Sequence, residues 1–196
     1  MKTLPLTRNL YIISGCNGAG KTTASYTVLP EMLNCQEFVN ADNIAAGISP
    51  FNPASVALRA GRIMLNRIDE LMREGADFAF ETTLSTKSYV SLIKKARSLG
   101  YKITLVYFWL NSPQEAIARV ATRVTKGGHD IPEDVIKRRY YGGLNNLFKL
   151  YKPNCDLWMV VNNTTEQPEL IARGEYDFSE LIFNPDIWNI IKRQAV

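Results

Sequence analysis

The stretch Gly15-Cys16-Asn17-Gly18-Ala19-Gly20-Lys21-Thr22 matches the pattern G-x-x-x-x-G-K-[ST] at every fixed position. It constrains the chain more than any other segment does. An apolar run, Leu10-Tyr11-Ile12-Ile13, precedes it, and a segment that reads as a helix follows. Successive backbone N–H groups must wrap a polyphosphate closely there, so glycines supply the unusual dihedrals and the missing bulk. A helix beginning near Gly20 adds the positive end of its dipole. Lys21 then meets the outer phosphates, Thr22 is placed to ligate Mg²⁺, and Thr23 continues the cradle. A strand, this loop and a helix in succession demand an α/β architecture in which a nucleoside triphosphate such as ATP sits at the end of a strand.

The rest of the chain reads as strands alternating with helices. Lys21 to about Leu29 is a first helix, with Pro30 near its end, and Glu37 to Asn40 a short strand leading to Ala41-Asp42. Asn52-Pro53 opens a helix to about Glu74, Asn as cap and Pro at the first position. Asp77 to Glu81 is a third strand. A helix from Thr86 to Leu99 follows and stops at Gly100. From Ile103, eight consecutive apolar or Thr residues mark a buried central strand. Ser112-Pro113-Gln114-Glu115 has capping-box spacing and starts a helix to about Val124. After a glycine-containing break, Pro132-Glu133-Asp134 restarts one to about Tyr151. Asp156 to Val161 is a last core strand, with a short helix near Glu169 and a terminal one near Ile187. The alternation predicts a single domain over residues 1–196, a parallel sheet with helices on both faces.

Ligands of such a sheet gather beyond the carboxyl ends of its strands. Asp42 there is a Mg²⁺ ligand, the base for a substrate hydroxyl, or a helix cap. Glu81 binds substrate hydroxyls, helps hold Mg²⁺, or is a solvated carboxylate. Glu115 and Arg119, spaced i,i+4, read as a surface pair. Arg123 lies one turn closer to the break Thr125–Asp130. On the next helix, Ile136, Tyr140, Leu144, Leu147 and Tyr151 form an apolar stripe; Arg139 borders it, and Arg138 points nearly away. Two arginines flanking Gly127-Gly128 suit a lid, about residues 119–139, that closes over a transferring phosphate. His129 in that loop reads as structural or lid-orienting.

Composition narrows the class. A net charge of +4 without a long basic run gives nucleic-acid binding no support. Three scattered cysteines, Cys16, Cys35 and Cys155, fit a reduced cytoplasmic protein. Met1 to Asn9 lacks the apolar core of a signal peptide, and the apolar runs are too short to span a bilayer. Neither the N-K-x-D motif of GTPases nor the L-S-G-G-Q motif of transporter ATPases is present. The alternative to a kinase is a nucleotide-driven switch or ATPase acting on a protein partner.

Gly15–Thr22, Asn40-Ala41-Asp42, Glu81-Thr82-Thr83 and Arg123 with Arg139 together resemble the zeta-toxin group of P-loop kinases, over roughly residues 8–163. The resemblance implies a nucleotide-kinase-like fold, ATP and Mg²⁺, and phosphorylation of a small-molecule acceptor, UDP-N-acetylglucosamine in the best-studied members. It implies Asp42 as base, Glu81 and Thr83 on the acceptor, Lys21, Arg123 and Arg139 on the phosphates, and an antitoxin protein as partner. The chain is short for such a toxin, and Ile44 to Ala60 holds no motif for a uracil or an N-acetyl group.

Overall fold

A computed structural model describes residues 7–176 and 179–195; most of the amino-terminal stretch read for a leader lies outside them. Among the described residues seven strands form one sheet in the order β2-β3-β1-β4-β5-β6-β7. They are β1 (Arg8–Gly15), β2 (Glu37–Val39), β3 (Phe78–Thr82), β4 (Tyr101–Trp109), β5 (Leu157–Asn162), β6 (Glu169–Glu175) and β7 (Leu181–Ile182). The first five run parallel. Each consecutive parallel pair is joined through helices: α1 (Lys21–Thr27), α2 (Ala41–Ile48) and α3 (Ala57–Glu74), α4 (Tyr89–Ser98), then α5 (Pro113–Thr125) and α6 (Glu133–Asn146). Leu10 to Gly15 of β1 and Ile103 to Trp109 of β4 are buried on both faces, as a parallel sheet covered by helices requires.

The parallel core is as expected, but the carboxyl-terminal third departs from the sequence reading. Where a short helix was expected near Glu169, β6 pairs antiparallel with β5, and β7 with β6. The tertiary demand overrides helix propensity here: β5 would otherwise leave its outer ladder unpaired. Packing also needs a glycine, since a Cβ on Gly174 would lie 2.5 Å from the Trp158 ring. Trp158 in turn stacks on Trp188 of the last helix, α7 (Pro185–Gln194), with centroids 5.8 Å apart.

Other boundaries shift for local reasons. The first helix ends at Thr27 and passes into a π-turn, Val28–Met32, that contains Pro30. α2 is the helix for which Asp42 was weighed as the cap; the Asn40 side chain starts it instead, accepting from Asp42 N and Asn43 N. Pro53–Val56 is a 3₁₀ turn before α3, and Asn52 forms no side-chain cap. α4 starts at Tyr89 rather than Thr86, and α6 passes at Leu147 into a π-turn to Tyr151. The Ser112 cap is present, its Oγ accepting from Glu115 N at 3.2 Å. Among the described residues no helix is long and apolar enough to cross a membrane.

Candidate active site

Strand order and register bring the functional groups together. β3 lies between β2 and β1, with Val39 opposite Phe80 and Ile13 opposite Glu81. Asn40, Glu81 and the loop after β1 therefore emerge side by side at one sheet edge.

The loop is shaped by close approaches. Gly15, Gly18 and Gly20 all have positive φ. A Cβ on Gly18 would stand 2.8 Å from the Ala116 carbonyl oxygen, and one on Gly20 2.5 Å from Asn163 Nδ2. Only glycine fits either place. Asn163, which follows β5 and was missed from the sequence, donates to the Ala19 carbonyl at 2.8 Å and ties the loop to the end of β5, two strands away in the sheet. Burial pushes the Cys16 thiol up to about 11, with nearby Lys21 acting in the opposite direction. Cys16 is thus a buried packing group within the loop.

Lys21 is buried, 6% exposed. Its Nζ donates to the Cys16 carbonyl at 2.9 Å and lies 3.4 Å from Glu81 Oε1. The Thr22 hydroxyl donates to Glu81 Oε2 at 2.6 Å, and Asn40 Nδ2 donates to the same oxygen at 2.7 Å. Glu81 is no solvated carboxylate: its side chain is 11% exposed and its contacts are all loop and cap groups. Asn40 spans two elements, its amide nitrogen on Glu81 and its oxygen on the first turn of α2. Asp42 stands in that first turn with an exposed side chain, so the cap itself is Asn40.

The two arginines that flank the glycine-containing break occupy different positions. Arg139 Nη1 donates to Asn17 Oδ1 at 3.2 Å, linking α6 to the loop, whereas Arg138 is exposed, as the helix phase requires. Arg123 Nη2 donates to the His129 carbonyl at 2.9 Å, while its buried Nε has no partner. Arg119 does more than form a surface pair. Besides Glu115 at 2.7 Å it holds the carbonyls of Asn163 and Thr164, at 2.8 and 2.6 Å, beside the loop. The signal for that role was only the i,i+4 spacing; the carbonyls come from residues over 40 positions away.

Several clefts meet at these groups, among them one of about 640 Å³ that runs from Thr22, Asp42 and Arg123 to Phe51 and His129. Another, about 260 Å³, is bordered by Gly18, Gly20, Thr22, Thr23, Arg119 and Arg123. A third, about 290 Å³, runs past Asn40, Thr82, Thr83, Tyr89 and Arg139. Asn17, Lys21, Asp42 and Glu81 border both of these last two. The one thus offers backbone amides and arginines for a polyphosphate, and the other a polar hollow for an acceptor.

Fold and site define the class: a P-loop phosphotransferase of the nucleotide-kinase type. Residues 3–167 match the model of the zeta toxin family, and the chain belongs to that family. An uncharacterized protein of Haemophilus influenzae is 33% identical over 126 residues, 64% of this chain and 88% of the relative. Among solved structures, the AvrRxo1-ORF1:-ORF2 complex with ATP contains a chain that superposes with a TM-score of 0.77 at 16% identity, over 98% of this chain and 65% of that one. A structure of the PezAT chromosomal toxin-antitoxin system of Streptococcus pneumoniae superposes with a TM-score of 0.64 at 12% identity, over 98% of this chain and 88% of that one. At these identities the structural likeness is one of fold. The chain spans 63% to 66% of the AvrRxo1 chains it matches.

Proposed function

We propose that the chain transfers the γ-phosphate of ATP to a hydroxyl of a small metabolite, with UDP-N-acetylglucosamine as the acceptor the family suggests. The observation that carries this reading is the pair of clefts sharing Lys21, Asp42 and Glu81. A switch or ATPase needs the cleft along Gly18 and Gly20; an acceptor hollow opening on the same lysine suits transfer.

In this reading ATP lies along the loop amides, with Lys21 and Arg123 on its outer phosphates. The acceptor oxygen bonds to the γ-phosphorus as the bond to the β–γ bridging oxygen breaks, and ADP leaves with that electron pair. Asp42 takes the proton of the acceptor hydroxyl. Arg139 and Arg123 stabilise the charge on the phosphoryl oxygens. The groups present suit Mg²⁺: a hydroxyl, Thr22 Oγ1, and a carboxylate, Glu81 Oε2, stand 2.6 Å apart beside the phosphate loop. Mg²⁺ is held typically by one or two carboxylates together with substrate phosphates. Thr22 and Glu81, already paired with each other, would hold it. When bound, the ion neutralises charge on the β- and γ-phosphates.

Incubation with [γ-³²P]ATP and a metabolite panel tests the proposal. Label in a small molecule is expected. Release of labelled phosphate alone, in every mixture, would favour the switch or ATPase reading. An antitoxin partner belongs to the same proposal, and inhibition of transfer by a co-purifying protein is its measure.

A further inference from the structure

The glycine-containing break after α5 has a defined geometry. The Gly127 N–H donates to the Val124 carbonyl at 2.9 Å, and the Gly128 N–H donates to the Arg123 carbonyl at 3.0 Å. Gly127 has φ of 87°. Two such bonds around one left-handed residue are the Schellman arrangement that closes a helix. In that arrangement the residue after the left-handed one commonly packs an apolar side chain on the residue whose carbonyl it binds. Those two residues are Gly128 and Arg123.

Gly128 brings no side chain to this contact, and the stem of Arg123 lies in the room it leaves. A Cβ on Gly128 would stand 2.6 Å from Arg123 Cγ and 3.2 Å from its Cδ. The two glycines meet different needs. Gly127 supplies a dihedral, whereas Gly128 has no positive φ and supplies space alone.

The same turn holds the head of the arginine. Arg123 Nη2 donates to the carbonyl of His129, the residue directly after Gly128. Arg123 Nε is buried without a partner among the described residues. An unmet buried donor works against the pose that contains it, so the surrounding turn imposes this pose. Thr22, Asp42 and Arg123 border both the cleft along the phosphate loop and the larger one that reaches Phe51. The guanidinium is therefore presented where those two clefts join.

From this we infer that Gly128 is a positioning residue: the space it leaves, with the His129 carbonyl, aims Arg123 at the phosphate cleft. This role rests on the phosphotransferase reading above, in which Arg123 stabilises the transferring group. The placement of Cγ depends on χ1 alone, and a helical side chain has few staggered χ1 wells to choose from. A methyl group at 128 is not relieved by bending the far end of the arginine. It demands another χ1 or a displaced turn, and either swings the guanidinium away. Stabilisation of developing charge needs donors already in place, so a small misplacement costs much of the rate. Were Gly128 needed only to keep the chain pliable, alanine there would act whether or not residue 123 were an arginine.

The test is a double-mutant cycle of Gly128→Ala and Arg123→Ala in the full chain. It uses Mg²⁺, [γ-³²P]ATP and the compound of the metabolite panel that takes most label. Rates are read at a temperature where calorimetry finds every variant folded. Gly128→Ala alone should lower kcat about tenfold or more and change KM for ATP less than about threefold, as loss of a transition-state interaction does. Added to Arg123→Ala, it should change kcat less than about twofold, because no stem remains to displace. A tenfold loss that persists without the arginine overturns the inference, and so does an unchanged kcat in Gly128→Ala. Unchanged kcat in Arg123→Ala removes the arginine from the reaction, and this role of Gly128 with it. Label in inorganic phosphate alone overturns the transfer reading instead. The cycle is then read on that hydrolysis, with the same expected and overturning results.

Discussion

The Thr22 hydroxyl donates to Glu81 Oε2 at 2.6 Å across 59 residues of sequence. A hydroxyl of the phosphate loop is thus paired with the carboxylate at the end of β3. The same carboxylate meets Lys21 and Asn40, so Glu81 is the group through which loop, cap and acceptor hollow are mutually positioned.

Glu81→Gln keeps the size and one acceptor oxygen but removes the charge facing Lys21 and Thr22. Turnover should fall by about 10²-fold, with more Mg²⁺ needed for half-maximal rate, because a metal and its ligands are oriented by such partners. Unchanged turnover across a Mg²⁺ titration would count against this placement.

Lys21→Ala should abolish transfer. It also leaves the buried Glu81 carboxylate without its cation, at a cost of about 1–3 kcal/mol. Thr22 and Asn40 still donate to that carboxylate, so the fold should survive with a melting temperature lower by roughly 2–10 °C. Calorimetry beside the assay separates loss of chemistry from loss of structure.

Asp42 has an exposed side chain, and it is its backbone N–H that donates to the Asn40 cap, a bond that asparagine at 42 keeps. Asp42→Asn should leave ATP affinity and melting temperature nearly intact and lower turnover about 10²-fold or more, as loss of a general base does. Collapse of Mg²⁺-dependent ATP binding would reassign it as a metal ligand.

Arg139→Ala and Arg123→Ala should each lower turnover at least about 10²-fold, the effect of removing a cation from a developing charge in a dry site. Arg138, exposed on the same helix, should change little, within about 0.5 kcal/mol. Lysine at 139 should rescue in part, lacking the planar fork. Parallel steady-state kinetics on the three variants give the ranking, and an essential Arg138 would invert it.

Burial pushes the thiols of Cys16 and Cys35 up to about 11 and that of Cys155 up to about 12. Each native value exceeds the usual thiol value of 9.0, so the native state holds these protons more tightly than the unfolded chain does. Stability from these groups is complete below pH 9 and is lost as pH rises through about 11 for Cys16 and Cys35 and about 12 for Cys155. At pH 8, iodoacetamide should label none of the three in the native protein and all three in urea. Mass spectrometry reads the result.

What the sequence determined alone was everything carried by short-range pattern. The eight residues Gly15–Thr22 specify the loop because glycine dihedrals and the lysine are local needs. The apolar runs around Ile12 and Leu105 specify buried parallel strands, and the 3.6-residue stripe through Ile136 and Tyr140 separates Arg139 from Arg138. What the tertiary structure decided depended on partners far apart in the chain. Glu81 became a loop ligand because strand order sets β3 between β2 and β1. Asn163 and Arg119 joined the site because β5 ends beside the loop, a juxtaposition that no spacing encodes. The stretch Glu169–Glu175 became a strand since β5 had an edge to fill, and Leu84 took a left-handed turn because α6 presses on it. Local propensity is worth under about 1 kcal/mol per residue, too little to hold such segments against the burial and hydrogen bonds that long-range contacts bring.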